Sequence, residues 1–316
     1  MVGCGSGRTM VGAVTAAFFA VACGGGGSDS GTTQSLPDPP PAAEFRVSQL
    51  EGPEGLCFDS HGNLYIGSTT GRITRVTPDG AQSVFAETGR SLAGLAAGPQ
   101  DEIFAAAFNT GEVLAVSQDG VIRVATFGLD GPNGIVFDDQ QRALVSAIGL
   151  GGDPQVVIIQ PDGTYQTLTA LIPSPNGMAF GPDGKLYVAD TFMNRIVRLE
   201  IDRFGQAATE PEVYASGVGL PDGIAFDEAG NLYVAGDGII IVITSADRNF
   251  VAYGTTGAID YPASLAFLIS PDNGRPENTL YFTNYGFPLG TGTTVGSIFT
   301  GIRGQQLYAP IPPNDD

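Results

Sequence analysis

Four side chains that could share one cation, Glu54, Asn133, Asn176 and Asp222, occupy the same place in a phrase that this chain writes repeatedly. The copies are GPEGLCFDSHGNLYIGS from Gly52, SLAGLAAGPQDEIFAAA from Ser91, GPNGIVFDDQQRALVSA from Gly131, SPNGMAFGPDGKLYVAD from Ser174, LPDGIAFDEAGNLYVAG from Leu220 and YPASLAFLISPDNGRPENTLYFTN from Tyr261. Their third letters run Glu54, Ala93, Asn133, Asn176, Asp222 and Ala263. Carboxylates and amide carbonyls are hard oxygen donors, a set that suits Ca²⁺ and its loose geometry. Zn²⁺ is badly served, because the chain has 1 His and no cluster of thiolates. Asn-Gly and Asp-Gly are also ordinary turn pairs, whose short polar side chains tolerate bent or left-handed backbone. A purely structural turn would favour the same residue types in every copy, however, and Glu54 and the two alanines break that rule.

The elements that must position these letters follow from the repeat. The second positions, Pro53, Leu92, Pro132, Pro175, Pro221 and Pro262, recur every 39 to 46 residues, the period of one four-stranded propeller blade. Within a copy, a short apolar strand such as GIAFD passes through a turn into a second strand such as NLYVAG. Runs such as GRITRV, GEVLAV, QVVIIQ and NRIVRL supply a third strand, and SVFAE, YQTLTA and EVYAS a fourth. TPDG, SQDG and QPDG mark the turns between strands three and four. Gly 46 and Pro 22 agree with many short strands, and 42% hydrophobic residues provide a core. The expectation is an all-β, six-bladed β-propeller with four-stranded blades. Innermost strands start at one mouth of the central channel, so the third letters should converge on its axis. Either EFRVSQL (Glu44 to Leu50) or the C-terminal QQLYAP should complete the last blade, since an open edge strand invites aggregation.

Other reactive residues read as structural. His61 falls in the turn DSHGN, which excludes Ser-His-Asp and Cys-His catalysis. Cys57 sits in an inner strand as a small buried residue. Asp59, Asp138, Asp183 and Asp227 belong to strand-to-strand turns, and Asp190 and Asn194 to blade-to-blade hydrogen bonds. Phe108, Asn109, Phe192, Met193, Tyr285 and Phe287 follow second strands and could line a mouth of the channel.

YVADTFMNRIVRL, Tyr187 to Leu199, resembles the NHL repeat, and LEGPEG, PNG and PDGIAFD resemble the calcium-dependent gluconolactonase and regucalcin-like family. The likeness runs from about Glu44 to the C-terminus. It implies a metal held by the Glu of an E-x-P phrase, the Asn of P-N-G and the Asp of P-D-G, at the places of Glu51, Asn176 and Asp222. The family's Asn of the third blade falls here on Pro132, with Asn133 one residue later. Glu51 matches the family phrase and Glu54 the internal repeat, so both stand as candidate ligands. The resemblance further implies that Asp222 is base or nucleophile beside Ca²⁺, or another divalent cation, in the hydrolysis of a lactone or ester. The alternative is a non-catalytic NHL-type propeller that binds a ligand or protein partner at the cell envelope. Pyrroloquinoline and lyase propellers are disfavoured, with Trp 0 and no catalytic His.

Residues 1–22 read as a signal peptide: after Arg8, Val11 to Ala22 has the length of a secretory apolar stretch and is too short to span a bilayer. Ala20 to Cys23 resembles a bacterial lipobox, with Ala where Leu is usual, and residues 23–43 read as a Gly/Ser/Pro-rich tether to a propeller over 44–316. The expected location is the cell envelope, as a lipoprotein anchored through Cys23, or else plain secretion. Removal of Cys4 with the signal and lipidation of Cys23 leave Cys57 alone, so no disulfide framework is expected. A net charge of -19 repels nucleic-acid phosphate and anionic lipid. The expected partners are a small-molecule substrate or ligand, no nucleic acid and no membrane beyond the anchor, on a monomer.

Overall fold

The computed structural model describes residues 35–253, 259–286 and 290–306. The expected signal peptide, Cys23, most of the expected tether, Phe287 and the residues after Gln306 lie outside them. Each copy of the phrase forms the two inner strands of a four-stranded antiparallel sheet. The innermost strands are Pro53–Phe58, Leu92–Ala97, Pro132–Phe137, Pro175–Phe180, Pro221–Phe226 and Pro262–Ile269, heading blades one to six. In five blades the strands follow chain order outward. Blade six runs Pro262–Ile269, Pro276–Asn284, Thr294–Phe299 and then the N-terminal strand Glu44–Val47. Glu44 pairs with Ser297 and Val47 with Val295, so the two ends of the propeller share one sheet. The N-terminal segment therefore closes the ring. The C-terminal segment does something else: Gln305 N–H donates to Phe226 O at 2.9 Å and Glu228 N–H to Arg303 O at 2.8 Å, strapping it to blade five.

The core lies between blades. Second strands such as Leu64–Ser68, Leu186–Asp190 and Leu232–Gly236 are buried throughout because both of their faces pack, which is why they read as apolar runs. Six hydrophobic clusters result, each shared by adjacent blades; one joins Cys57 and Tyr65 of blade one to Leu95 and Ile103 of blade two. Edge-to-face aromatic pairs lock several seams: Phe104 with Phe137 at 5.0 Å, Tyr187 with Phe226 at 4.8 Å, Tyr233 with Phe267 at 5.5 Å. Phe58 and Tyr281, 5.2 Å apart, do the same where blade one meets blade six. Helical structure among the described residues is limited to single turns at Pro99–Asp101 and Thr191–Met193, and no helix there is long and apolar enough to cross a membrane.

The aspartates after the inner strands are turn residues, as expected. Asp227 accepts from the N–H groups of Ala229 and Asn231 at 3.0 and 2.8 Å, from Asn231 Nδ2 at 2.8 Å and from the Tyr233 hydroxyl at 3.3 Å. Asp59 repeats this with His61, Asn63 and Tyr65, and Asp138 with Gln140 and Arg142. A short carboxylate thus satisfies the turn and anchors a tyrosine wedged between blades. Asp190 departs from its expected role. It is fully buried, but its oxygens accept from Ser174 and Arg195 of its own blade, while Asn194 Oδ1 takes the Leu220 N–H at the entry to blade five. Cys57 is buried and His61 sits on an exposed turn beside Asp101.

Asp227→Ala should lower the free energy of unfolding by about 3 kcal/mol, because it strands several buried donors at once. Tyr233→Phe, which removes one hydroxyl, should cost about 1 kcal/mol. Denaturant unfolding of both variants checks the order; equal effects would contradict the hub role of Asp227.

Candidate active site in the central channel

The third letter stands on a β-bulge. In every blade the register between the two inner strands slips after the second position: Pro53 pairs with Ser68 but Leu56 with Ile66, and Pro221 with Gly236 but Ile224 with Val234. The same slip follows Leu92, Pro132, Pro175 and Pro262. One extra residue per inner strand turns the third side chain off the sheet and into the channel. These Asn-Gly and Asp-Gly pairs are therefore bulges inside strands and not turns. Their glycines answer to space: a Cβ on Gly177 would lie 2.3 Å from Asp222 O, and one on Gly134 2.4 Å from Asn176 O. Gly55, Gly94 and Gly223 abut the next blade's backbone in the same way. Ser264 is the exception, and its Oγ accepts the Leu56 N–H at 3.3 Å.

Glu54, Asn133, Asn176 and Asp222 line one narrow cavity of about 70 Å³, together with Gly94, Gly134, Ala263 and Ser264. Hydroxyls from neighbouring second strands hold the bulges in place. Thr283 Oγ1 donates to Glu54 O, Ser146 Oγ to Asn176 O and Thr191 Oγ1 to Pro221 O, each at 2.7 Å. The Asn176 amide in turn donates to Thr191 Oγ1 at 3.2 Å. Four blades thus contribute one carboxylate or amide each to a common space, and blade six adds the Ser264 hydroxyl.

Electrostatics make that space unusual. Burial raises the Asp222 carboxyl above the ordinary range, opposed by a hydrogen bond from Asn176. Burial also raises Glu54 well above its ordinary value, and the charge of Asp222 adds to the effect. Tyr285, at the rim, is raised by burial and by both carboxylates. Among the described residues no Lys or Arg lines the cavity. Two half-buried carboxylates facing one narrow space without a counter-charge are costly, and a divalent cation is the partner that relieves both. The donor set, two carboxylates and two amides, fits Ca²⁺ by hardness. Among the described residues no three of Asp, Glu, His and Cys group together, so any such site leans on the amides and on further ligands from solvent or substrate.

Glu51 lies elsewhere. It is exposed and lines a separate cavity of about 310 Å³ with Gln49, Ser68 and Arg72. Of the two glutamates, Glu54 is the one brought together with Asn133, Asn176 and Asp222. Above Asp222 the channel opens into a cavity of about 160 Å³ between blades four, five and six, lined by Asn176, Thr191, Phe192, Leu220, Asp237, Tyr261, Pro262 and Tyr285 among others. Phe192 and Tyr285 are there as expected, whereas Phe108 packs against the core between blades two and three and Asn109 Oδ1 accepts from Ser91 N–H. Thr191 and Asp237 were not singled out from sequence, although each directly follows a second strand, as Tyr285 does. Applying that positional rule in every blade would have found them.

The SMP-30/gluconolactonase/LRE-like region matches residues 131–285, and the strictosidine synthase-like N-terminal region matches residues 45–76. Gluconolactonase of Zymomonas mobilis is 28% identical over 217 residues, 65% of this chain and 54% of that protein; the chain thus spans about half the length of this relative. Regucalcin from Agrobacterium tumefaciens, described as a calcium-binding protein, superposes with a TM-score of 0.68 at 20% identity, covering 87% of this chain and 98% of that one. Gluconolactonase from Xanthomonas campestris gives 0.68 at 19% identity, covering 83% and 89%. The matched region holds Asn133, Asn176 and Asp222, and ends at Tyr285 on the rim of the cavity. The chain is thus a six-bladed propeller whose residues 131–285 match the SMP-30/gluconolactonase/LRE-like region.

Proposed function

We propose that the protein hydrolyses a lactone or ester with the help of Ca²⁺ or a similar divalent cation held by Glu54, Asn133, Asn176 and Asp222. The observation that carries the reading is the convergence of two half-buried carboxylates and two amides, from four blades, on one cavity that no cationic side chain among the described residues lines. A bound cation would polarise the substrate carbonyl and favour the ionised form of both acids. Asp222 lines both the narrow cavity and the wider one above it, so it is the carboxylate that a substrate entering from the mouth would meet. Acting as base, Asp222 takes a proton from water as the water oxygen bonds to the carbonyl carbon. The carbonyl carbon's bond to the ester oxygen then breaks, and that oxygen receives the proton, leaving a hydroxy acid from a lactone. Asn176 orients Asp222, and Thr191 fixes Asn176. With this reading goes an envelope location, the protein a single chain anchored to the membrane through Cys23.

Millimolar Ca²⁺ should raise the melting temperature of the chelator-treated protein, and Asp222→Asn should abolish that rise. The same variant should raise the melting temperature without metal, since it removes one of two poorly solvated carboxylates that repel each other. Asp222→Asn should also lower kcat on the order of 10²–10⁴-fold. Aldonolactones, aliphatic lactones, aryl esters and phosphotriesters, each assayed with Ca²⁺ and with chelator, form the substrate panel; turnover of none would sink the hydrolase reading.

Stability should also depend on pH in a defined direction. Glu54 and Asp222 have raised values in the folded chain, so between their ordinary and raised values the folded state binds more protons than the unfolded state. The metal-free protein should therefore lose stability as pH rises from about 4 through the raised values. Because Ca²⁺ binds the ionised pair, its stabilising effect should grow over the same range. Thermal melts from pH 5 to 8, with Ca²⁺ and with chelator, read both trends; a calcium effect that shrinks with rising pH would contradict the assignment.

A further inference from the structure

The cavity above Asp222 carries information about what enters it. Phe192, Leu220, Tyr261, Pro262 and Tyr285 form an apolar and aromatic wall, and Phe192 is 74% exposed at the mouth. Among the described residues, the acidic side chains lining the space are Asp222 and Asp237, and no Lys or Arg lines it. The Thr191 hydroxyl is already engaged with Pro221 O. Polar groups of Asn176, Thr191, Asp222, Asp237, Tyr261 and Tyr285 interrupt a wall that is mostly carbon, so a polyhydroxylated substrate would give up water largely against apolar surface, and an anionic one would meet Asp237. The volume, about 160 Å³, matches a cavity known to take up a benzene-sized molecule at about 150 Å³. The wall is also held in place: Leu220, Asp237 and Tyr261 have φ of 42°, 41° and 48°, left-handed backbone that non-glycine residues adopt only where the surroundings over-determine it.

Resting on the hydrolase reading above, we infer that the substrate is a neutral lactone or ester bearing one short alkyl or phenyl group, seated against Phe192 with its carbonyl toward Asp222. Sugar-derived and carboxylate-bearing lactones are disfavoured by the same wall. Phe192 sets this preference without touching the reacting atoms.

The test compares a phenyl-substituted δ-lactone, glucono-δ-lactone and a carboxylate-bearing δ-lactone on the Ca²⁺-loaded protein. The phenyl lactone should have kcat/KM at least tenfold above glucono-δ-lactone. Phe192→Ser should raise KM for the phenyl lactone about tenfold with kcat little changed. Asp237→Asn should improve the carboxylate-bearing substrate relative to the other two. Equal or faster turnover of glucono-δ-lactone, or an unchanged KM in Phe192→Ser, overturns the inference and leaves the hydrolase reading standing. If no lactone is turned over, the hydrolase reading fails, and thermal shifts decide the ligand class. A phenyl-substituted δ-lactam that raises the melting temperature more than gluconolactam supports the apolar site, and the reverse order overturns it.

Discussion

The close approach of neighbouring blades at the axis is the constraint on which the rest depends. At Gly55, Gly94, Gly134, Gly177 and Gly223 the backbone of one blade meets the backbone of the next at distances that leave no room for a Cβ. That contact requires a glycine at the fourth place of the phrase in blades one to five, with Ser264 in blade six, draws the inner strands together and needs a bulge to accommodate the extra residue. The bulge in turn throws the third side chain into the channel. Architecture and site are thus the same local feature: the residue that must vanish sits next to the residue that is free to vary.

What varies is chemically costly. Glu54 and Asp222 are both driven toward their neutral forms by burial, in a channel that offers them no basic partner. A scaffold would gain by replacing either acid with an amide. The propeller can carry the cost because its stability is distributed over six seams, each with its own apolar cluster, and over a ring closed by Glu44–Val47. Asp227 and Asp59 show the contrasting use of a buried carboxylate, surrounded by N–H and O–H donors and given over to holding turns and tyrosines. Donor supply, not burial alone, separates the structural aspartates from the candidate catalytic one.

Most of the fold was legible because a repeat states the same strand pattern six times, so that local ambiguity averages out. The turn glycines at Gly80, Gly120 and Gly163 close the TPDG, SQDG and QPDG turns as their sequence suggests, each with its N–H on the carbonyl three residues earlier. Less of the site could be read. Glu51 and Glu54 are three residues apart and equally suited to calcium by type, and only the bulge distinguishes the one that faces the channel. Asp190 reads from sequence as a link between blades, yet its partners Ser174 and Arg195 lie in its own blade.

The sequence by itself determined the all-β blade pattern, its sixfold count and the oxygen-bearing letters, since periodicity and residue type are local properties. It could not choose between Glu44–Val47 and the C-terminal segment for ring closure, because both are short strand-like runs far in sequence from blade six. Tertiary structure decided for the former, pairing Val47 with Val295, and sent Gln305 to blade five instead. It also decided that Asn-Gly and Asp-Gly are bulges, and that Thr191, Asp237 and Tyr261 meet Asp222 at one mouth. Those are matters of register and of distance between blades, which no single segment encodes.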